Sequence, residues 1–390
     1  MEDYKILKEK AYEQMEQYAS ICRIINDDLA DHPELSGEEV ESSQKIVALL
    51  NQEGYRTEYP FAGYDTAFKA VYGENNHARK IAILTEYDAL PAIGHACGHC
   101  TSAAISLLAG LALKDLQDEI DADIHIIGTP AEETEGAKCV MVKKGVFDEY
   151  DMAMMVHLYD ENLLAPKVQA LDSFFYTFHG KTAHASAAPW EGNNALNGIQ
   201  LMFHALDMLR QHVKPDVRIH GVIRDGGLAP NIVPETASAE FYIRSMDRGY
   251  LTELLKKVED CARGAAIATQ TTYEKISGGE PFDNLKANQT GLQVLAQIYE
   301  ELDLTLGDSD RIFGSSDAGN VSMVCPTFHP TIQIVEPGIA THTRAFAEAV
   351  KSPRAYQAIL DGAKVIILQI LGIFTDEEKY KAMKEDFNRN

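Results

Sequence analysis

Apolar residues recur at helical spacing from the start of the chain: Ile6, Leu7, Ala11, Met15 and Tyr18 predict an opening helix. A second helix is predicted from Ser36, with Glu39 three residues on in the spacing of a capping box, to a stop at Gly54. The pattern then changes to short apolar runs alternating with helices. Residues 80–87 (KIAILTEY) predict a buried strand, 101–116 an apolar helix, and 123–128 (DIHIIG) and 151–156 (DMAMMV) two further strands. Short apolar strands separated by helices are what a parallel sheet covered on both faces requires.

After about Asp172 the period changes again. Ser173–His179 reads as a strand, and 193–212 as a helix with Leu196, Ile199, Phe203, Leu206 and Leu209 on one side. Residues 217–224 and 237–243 alternate as strands, followed by a helix at 248–263 and a strand at 269–276. This order, β-α-β-β-α-β, is that of a ferredoxin-like domain. Beyond Gly278–Gly279 and Pro281 the α/β character resumes, with a helix near 288–302, a strand near 331–335 and a long helix from about 352. The expectation is an α/β fold: a mainly parallel-sheet domain with helices on both faces, formed by residues 1–172 and 284–390, into which a ferredoxin-like domain, 173–283, is inserted.

The 390 residues carry 35 basic and 59 acidic side chains, a net charge of −24. That balance argues against a nucleic-acid or anionic-membrane partner, which needs a basic face. The charged N-terminus shows no secretory pattern, and the apolar runs Ile105–Leu113 and Val365–Phe374 fall short of the ~20 residues of a membrane span. Six cysteines make no disulfide framework, so a reducing cytoplasm is expected.

In an open parallel sheet, reactive groups collect beyond the carboxyl ends of the strands. Here the first strand is followed by Asp88 and then by Cys97-Gly98-His99, the second by Glu132-Glu133, and the third runs into His157; His342 follows a later strand. A thiolate and imidazoles suit zinc and other borderline metals. Each residue alone has a bland reading, as a buried cysteine, a core histidine or a solvated glutamate pair. Together, Cys97, His99, Glu133, His157 and His342 are too many donors for one catalytic zinc and suit two metals sharing a bridging ligand, with Asp88 orienting a ligand from behind. Adjacent carboxylates at a strand end point differently, so one could bind metal while the other serves as general base. Cys97 and Cys100 also form a C-x-x-C, which leaves thiol–disulfide exchange as an alternative, and a non-catalytic peptide-binding module on the same groove is another.

The segments Asp88-Ala-Leu-Pro, His95-Ala-Cys-Gly-His99, Pro130-Ala-Glu-Glu133 and Lys181-Thr-Ala-His184-Ala resemble the aminoacylase/carboxypeptidase-type co-catalytic metallopeptidases. Within them, Ala187-Ala-Pro-Trp190, Gly226-Gly-Leu-Ala-Pro-Asn231 and Gly314-Ser-Ser316-Asp317 look most like the branch of hippurate hydrolase and p-aminobenzoyl-glutamate hydrolase or β-alanyl-lysine dipeptidase. The resemblance implies a metal-dependent amidohydrolase that cleaves an N-acyl amino acid, an aminobenzoyl-glutamate-like compound or a dipeptide. It implies two divalent ions, zinc first, with manganese, cobalt or nickel also compatible. Cys97 would bridge them; His99, Glu133, His157 and His342 would complete the sites; Glu132 would be the general base. His184 would stabilise the oxyanion, Asn231, Arg244 and Ser316 would hold a small-molecule substrate, and the inserted domain would support a homodimer. Three positions depart from the family pattern: Cys100 in place of Asp or Asn, Leu158 in place of Pro, and Thr341 in place of Gly.

Overall fold

In a computed structural model that describes residues 2–389, the opening helix runs Glu2–Asp31 and buries Leu7, Ala11, Met15, Cys22, Ile25 and Leu29 along one stripe. The second helix spans Val40–Gln52, and its N-terminus departs from the capping-box expectation. The cap is the Glu34 carboxylate, which accepts from the backbone N–H groups of Glu41 (3.0 Å) and Ser42 (2.6 Å). Ser36 instead bonds Thr134 (Oγ–Oγ1 2.7 Å), and Glu39 turns inward, because its partners are tertiary ones.

The chain divides into two compact units. One comprises residues up to Lys167, Leu285–Phe313 and the chain from Asp317 onward; the other is Val168–Asn284 with Gly314–Ser316. In the first unit a six-stranded sheet has the order Arg56–Glu58, Phe68–Val71, Asp123–Gly128, Lys80–Thr85, Met152–Met154, Thr327–Phe328. The pairings among the last four strands are parallel. The first two strands add an antiparallel edge, which the strand–helix alternation does not announce because no helix connects them. His157 opens a separate short strand, His157–Tyr159, parallel to Thr331–Gln333.

Alternation along the strands sorts their side chains to two faces. Ile81, Ile83, Ile124, Ile126, Met152 and Met154 join the larger core, under the helices Glu2–Asp31, His99–Leu113 and Pro353–Phe374. Ala82, Leu84, Ile127, Ala153 and Met155 face the other way, with Met141 and Val321 from the short helices Ala137–Lys143 and Ala318–Val324. Every residue of His99–Leu113 is buried, which explains its unbroken apolar composition. Pro353–Phe374 is long and apolar enough to cross a membrane by composition, yet 72% of its most apolar window is buried inside the protein, as befits a core helix.

The second unit is a four-stranded antiparallel sheet in the order Thr272–Ser277, Ala170–His179, Thr236–Ser245, Arg218–Asp225. Its helices Ala195–Leu209 and Arg248–Thr269 start at Asn194 and Asp247, whose side chains accept from the N–H groups of Asn197 and Tyr250. They pack Ile199, Met202, Leu206, Leu254 and Val258 onto Tyr176, Phe178, Ala239 and Phe241. This is the ferredoxin-like arrangement that the alternating segments predict.

The His99–Leu113 helix anchors the larger core, so Leu108→Ala there should cost about 2–5 kcal/mol of stability. Chemical denaturation of the metal-free protein measures it; a loss below about 1 kcal/mol would show that this helix is not the anchor.

Candidate metal centre

Three strand ends of the first unit converge. Beyond Lys80–Thr85 come Glu86 and Asp88; beyond Asp123–Gly128 come Glu132 and Glu133; beyond Met152–Met154 comes His157. Gly98, with φ of 89°, turns the chain between Cys97 and His99, and a Cβ there would lie 2.9 Å from the Cβ of Leu158. Only a glycine lets the thiol and the imidazole reach one space from so tight a turn.

The five expected donors meet in two groups. The ligand atoms of Cys97, His99 and His157 lie within 4.8 Å of one another, and so do those of Cys97, Glu133 and His342. The two triads share one atom, the Cys97 Sγ. A third group, His99, Glu132 and Glu133, sets Glu132 beside them under the same limit.

Each imidazole is turned by a bond from behind. His99 Nδ1 donates to Asp88 Oδ1 (2.7 Å), leaving Nε2 to face inward. His157 Nδ1 donates to the Leu158 carbonyl (2.8 Å), and its Nε2 stands 3.5 Å from Cys97 Sγ. The other oxygen of Asp88 accepts from the Glu133 N–H (3.0 Å), so one carboxylate orients a donor of each triad. Although burial pushes the Asp88 carboxyl up, His99 beside it holds it well below the usual carboxylate range. His342 has φ of 62°, is tied through its N–H to the Ala96 carbonyl (2.9 Å), and brings Nε2 to 3.2 Å from Glu133 Oε1.

The donor set fits divalent cations. Among the described residues, His99 Nε2 and Glu133 Oε1 are buried and make no hydrogen bond, their near neighbours being Glu86 Oε2 (3.4 Å) and His342 Nε2 (3.2 Å), and both belong to these groups. Leaving such atoms without a hydrogen bond costs about 1–3 kcal/mol each, which a cation bound at each triad would offset. Burial and the Glu133 carboxylate push the Cys97 thiol well up, so its use as a thiolate requires positive charge alongside. Partial burial, with Glu133 and Glu86 nearby, pushes the Glu132 carboxyl up as well.

Behind Glu132 lies an ionic cluster that the sequence did not point to. Lys138, fully buried, donates to Glu86 Oε1 (2.5 Å) and Asp317 Oδ1 (2.7 Å), while its backbone N–H donates to Asp317 Oδ2 (3.0 Å). A single lysine in the otherwise apolar run Ala137–Met141 was the available signal. His329 is a second omission; it packs 5.5 Å from the His157 ring, in a sequence context that offers no signal.

His184, Asn231, Arg244 and Ser316 belong to the other unit. His184 is exposed, and its Nδ1 accepts from the N–H groups of Ser186 (3.3 Å) and Ala187 (3.2 Å). With Nδ1 accepting, the ring proton sits on Nε2, which is left as the donor. Asn231 lies in the turn just before Ile232, which forms a bridge with His184, and its carbonyl accepts from the Ala185 N–H (3.0 Å). Arg244 is half-buried, donates from Nη1 to Ser315 Oγ (3.2 Å), and its Nε has no hydrogen-bond partner among the described residues. Ser316 is buried and ends the short segment Gly314–Ser316 that belongs to this unit.

Thiol–disulfide exchange draws no support from this geometry. Cys97 faces His157, whereas Cys100 Sγ lies 3.8 Å from Thr101 Oγ1, and burial pushes the Cys100 thiol up to about 12.

Residues 170–269 match the family model described as a peptidase dimerisation domain. The chain is 32% identical to the Xaa-Arg dipeptidase of Mus musculus, over 99% of this chain and 93% of that protein. It is 28% identical to one of the subunits of the p-aminobenzoyl-glutamate hydrolase of Escherichia coli, over 70% of this chain and 60% of that one. A solved Bacillus subtilis structure, described as a dinuclear metal-binding peptidase from the M20 family, shares the fold with a TM-score of 0.69 at 19% identity, covering 90% of this chain and 99% of that one.

Because Asp88 orients donors of both triads, Asp88→Ala should weaken divalent-metal affinity about 10–100-fold. Competition against a chromophoric chelator measures this, and unaltered affinity would mean that the carboxylate is dispensable.

Proposed function

The chain belongs to the M20 family of metal-dependent amidohydrolases, and from that premise we propose that it is a dipeptidase that releases a C-terminal amino acid with a cationic side chain. The near full-length match to a relative named Xaa-Arg dipeptidase supports the substrate class. The observation that carries the site assignment is the sharing of Cys97 by two donor triads, with Glu132 beside them. We assign Cys97, His99 and His157 to one ion and Cys97, Glu133 and His342 to the other, zinc or manganese being the metals we favour.

Two divalent ions, when bound, supply Lewis acidity that polarises the scissile carbonyl and lowers the pKa of water toward ~7. The remaining work falls to the protein's own groups. Glu132 takes a proton from the attacking water on its carboxylate and passes it to the leaving nitrogen. Its raised affinity for protons, due first to burial and then to Glu133, suits a group that must hold that proton between the two transfers. His184, with its proton fixed on Nε2, has the donor chemistry that a developing oxyanion needs. Arg244, held at Nη1 by Ser315 and unpaired at Nε, suits two-point capture of the substrate's free carboxylate. We assign Asn231 and Ser316 to substrate binding alongside it. A homodimer is the proposed assembly, supported by the dimerisation-domain match and by the exposed edge strand Arg218–Asp225. A cytoplasmic location is proposed on six cysteines that form no disulfide.

Glu132→Gln should reduce turnover by about 10²–10⁴-fold while the protein keeps both ions, read by steady-state kinetics and elemental analysis together. Wild-type turnover in that variant would remove Glu132 from the role. Arg244→Ala should raise KM for dipeptides by roughly 10–100-fold, the loss expected of a charged hydrogen-bonding partner, with less effect on kcat. A panel of Xaa-Arg, Xaa-Lys and Xaa-Glu dipeptides, aminobenzoyl-glutamate and N-acetyl amino acids decides the substrate class; preference for Xaa-Glu would overturn the cationic side chain, and preference for aminobenzoyl-glutamate or the N-acetyl compounds would overturn the dipeptidase reading.

A further inference from the structure

Glu39 is fully buried, belongs to neither donor triad, and does not perform the capping role its spacing predicts. Its Oε1 accepts from the N–H groups of Gly37 and Ala131, both at 2.8 Å, and its Oε2 accepts from Thr66 Oγ1 at 3.2 Å. Ala131 immediately precedes Glu132. It is buried with φ of 58°, in the left-handed region that a side chain disfavours, and must be held there by its surroundings. The Glu39 carboxylate is the group bonded to its N–H. On the far side of Glu132, the Glu133 N–H is held by Asp88. Two buried carboxylates therefore grip the backbone on either side of Glu132.

The rest of the 34–39 segment reinforces this grip. The Glu34 carbonyl accepts from the Ala89 N–H (2.9 Å), and Leu35 forms a parallel bridge with Ala89, directly after Asp88. Ser36 bonds Thr134, directly after Glu133. One short stretch before the Val40–Gln52 helix thus ties together the two loops that carry Asp88 and the Glu132–Glu133 pair. Burying a charged side chain there is costly, and a simple turn does not require it.

We propose that Glu39 is a positioning residue for Glu132: its carboxylate fixes the strained Ala131 turn and so sets the direction of the Glu132 side chain. The proposal rests on the reading of Glu132 as the general base. Misplacement of a reacting group by about 1 Å costs about 10²-fold in rate, so a loosened turn acts on kcat rather than on substrate binding.

The test compares Glu39→Ala with Glu39→Gln in the full-length, metal-loaded protein, and follows amide hydrogen exchange over residues 128–136 in the metal-free protein. Glu39→Ala should lower kcat about 10²-fold with KM within about threefold and metal content unchanged, and should speed exchange across 128–136. Glu39→Gln keeps an oxygen for the Ala131 N–H, so it should preserve that protection and hold kcat within about tenfold of wild type. Wild-type kcat in Glu39→Ala, or unaltered exchange across 128–136, would overturn the proposal. Should Glu39→Ala not fold, a Gln variant that retains protection yet loses kcat as deeply as Glu132→Gln would overturn it as well. The two readings fail separately. An inactive Glu132→Gln beside a fully active Glu39→Ala removes only the positioning role, whereas an active Glu132→Gln removes the base whatever the exchange data show.

Discussion

The two oxygens of Asp88 hold His99 Nδ1 and the Glu133 N–H at the same time, and the donor arrangement depends on that double grip. His99 belongs to one triad and Glu133 to the other, and they arrive from different strands. Without a common reference, each would orient independently, and Cys97 could not serve both groups with one sulfur. The arrangement is possible because the parallel centre of the sheet delivers strand ends side by side, so that groups far apart in the chain begin within a few ångströms of each other.

Much of this was legible from residue type and position. Asp88, Glu132, Glu133 and His157 each follow an apolar strand within a few residues, and Cys97 and His99 flank the one residue type that allows their turn. The β-α-β-β-α-β unit was also readable, because alternation and helical periodicity are strong in Ala170–Ser277. What escaped was held by tertiary contacts. The partners of Lys138, Glu86 and Asp317, lie 52 and 179 residues away in the chain, so no local pattern pairs them with it. Ser36 and Glu39 had capping-box spacing, yet Glu34 supplies the cap and both other side chains turn to the loop at 131–134. The antiparallel strands Arg56–Glu58 and Phe68–Val71 are too short and too mixed in polarity to declare their direction.

The buried charges share a pattern. Glu39, Asp88, Glu86, Lys138 and Asp317 are removed from water at considerable cost, and each is engaged with backbone N–H groups or with an opposite charge close to the candidate centre. Hydrophobic packing builds the sheet and its covering helices, but it cannot aim a carboxylate or an imidazole. The polar shell does the aiming, at the expense of stability that the large apolar core can spare.

One sulfur serving two cations is the central claim, and counting metal by titration of the metal-free protein with zinc tests it directly. The expected stoichiometry is two ions per chain in the wild type and one in His342→Ala, with high-affinity binding at both sites lost in Cys97→Ala. Saturation of the wild type at a single ion, or two tightly held ions in Cys97→Ala, would contradict it.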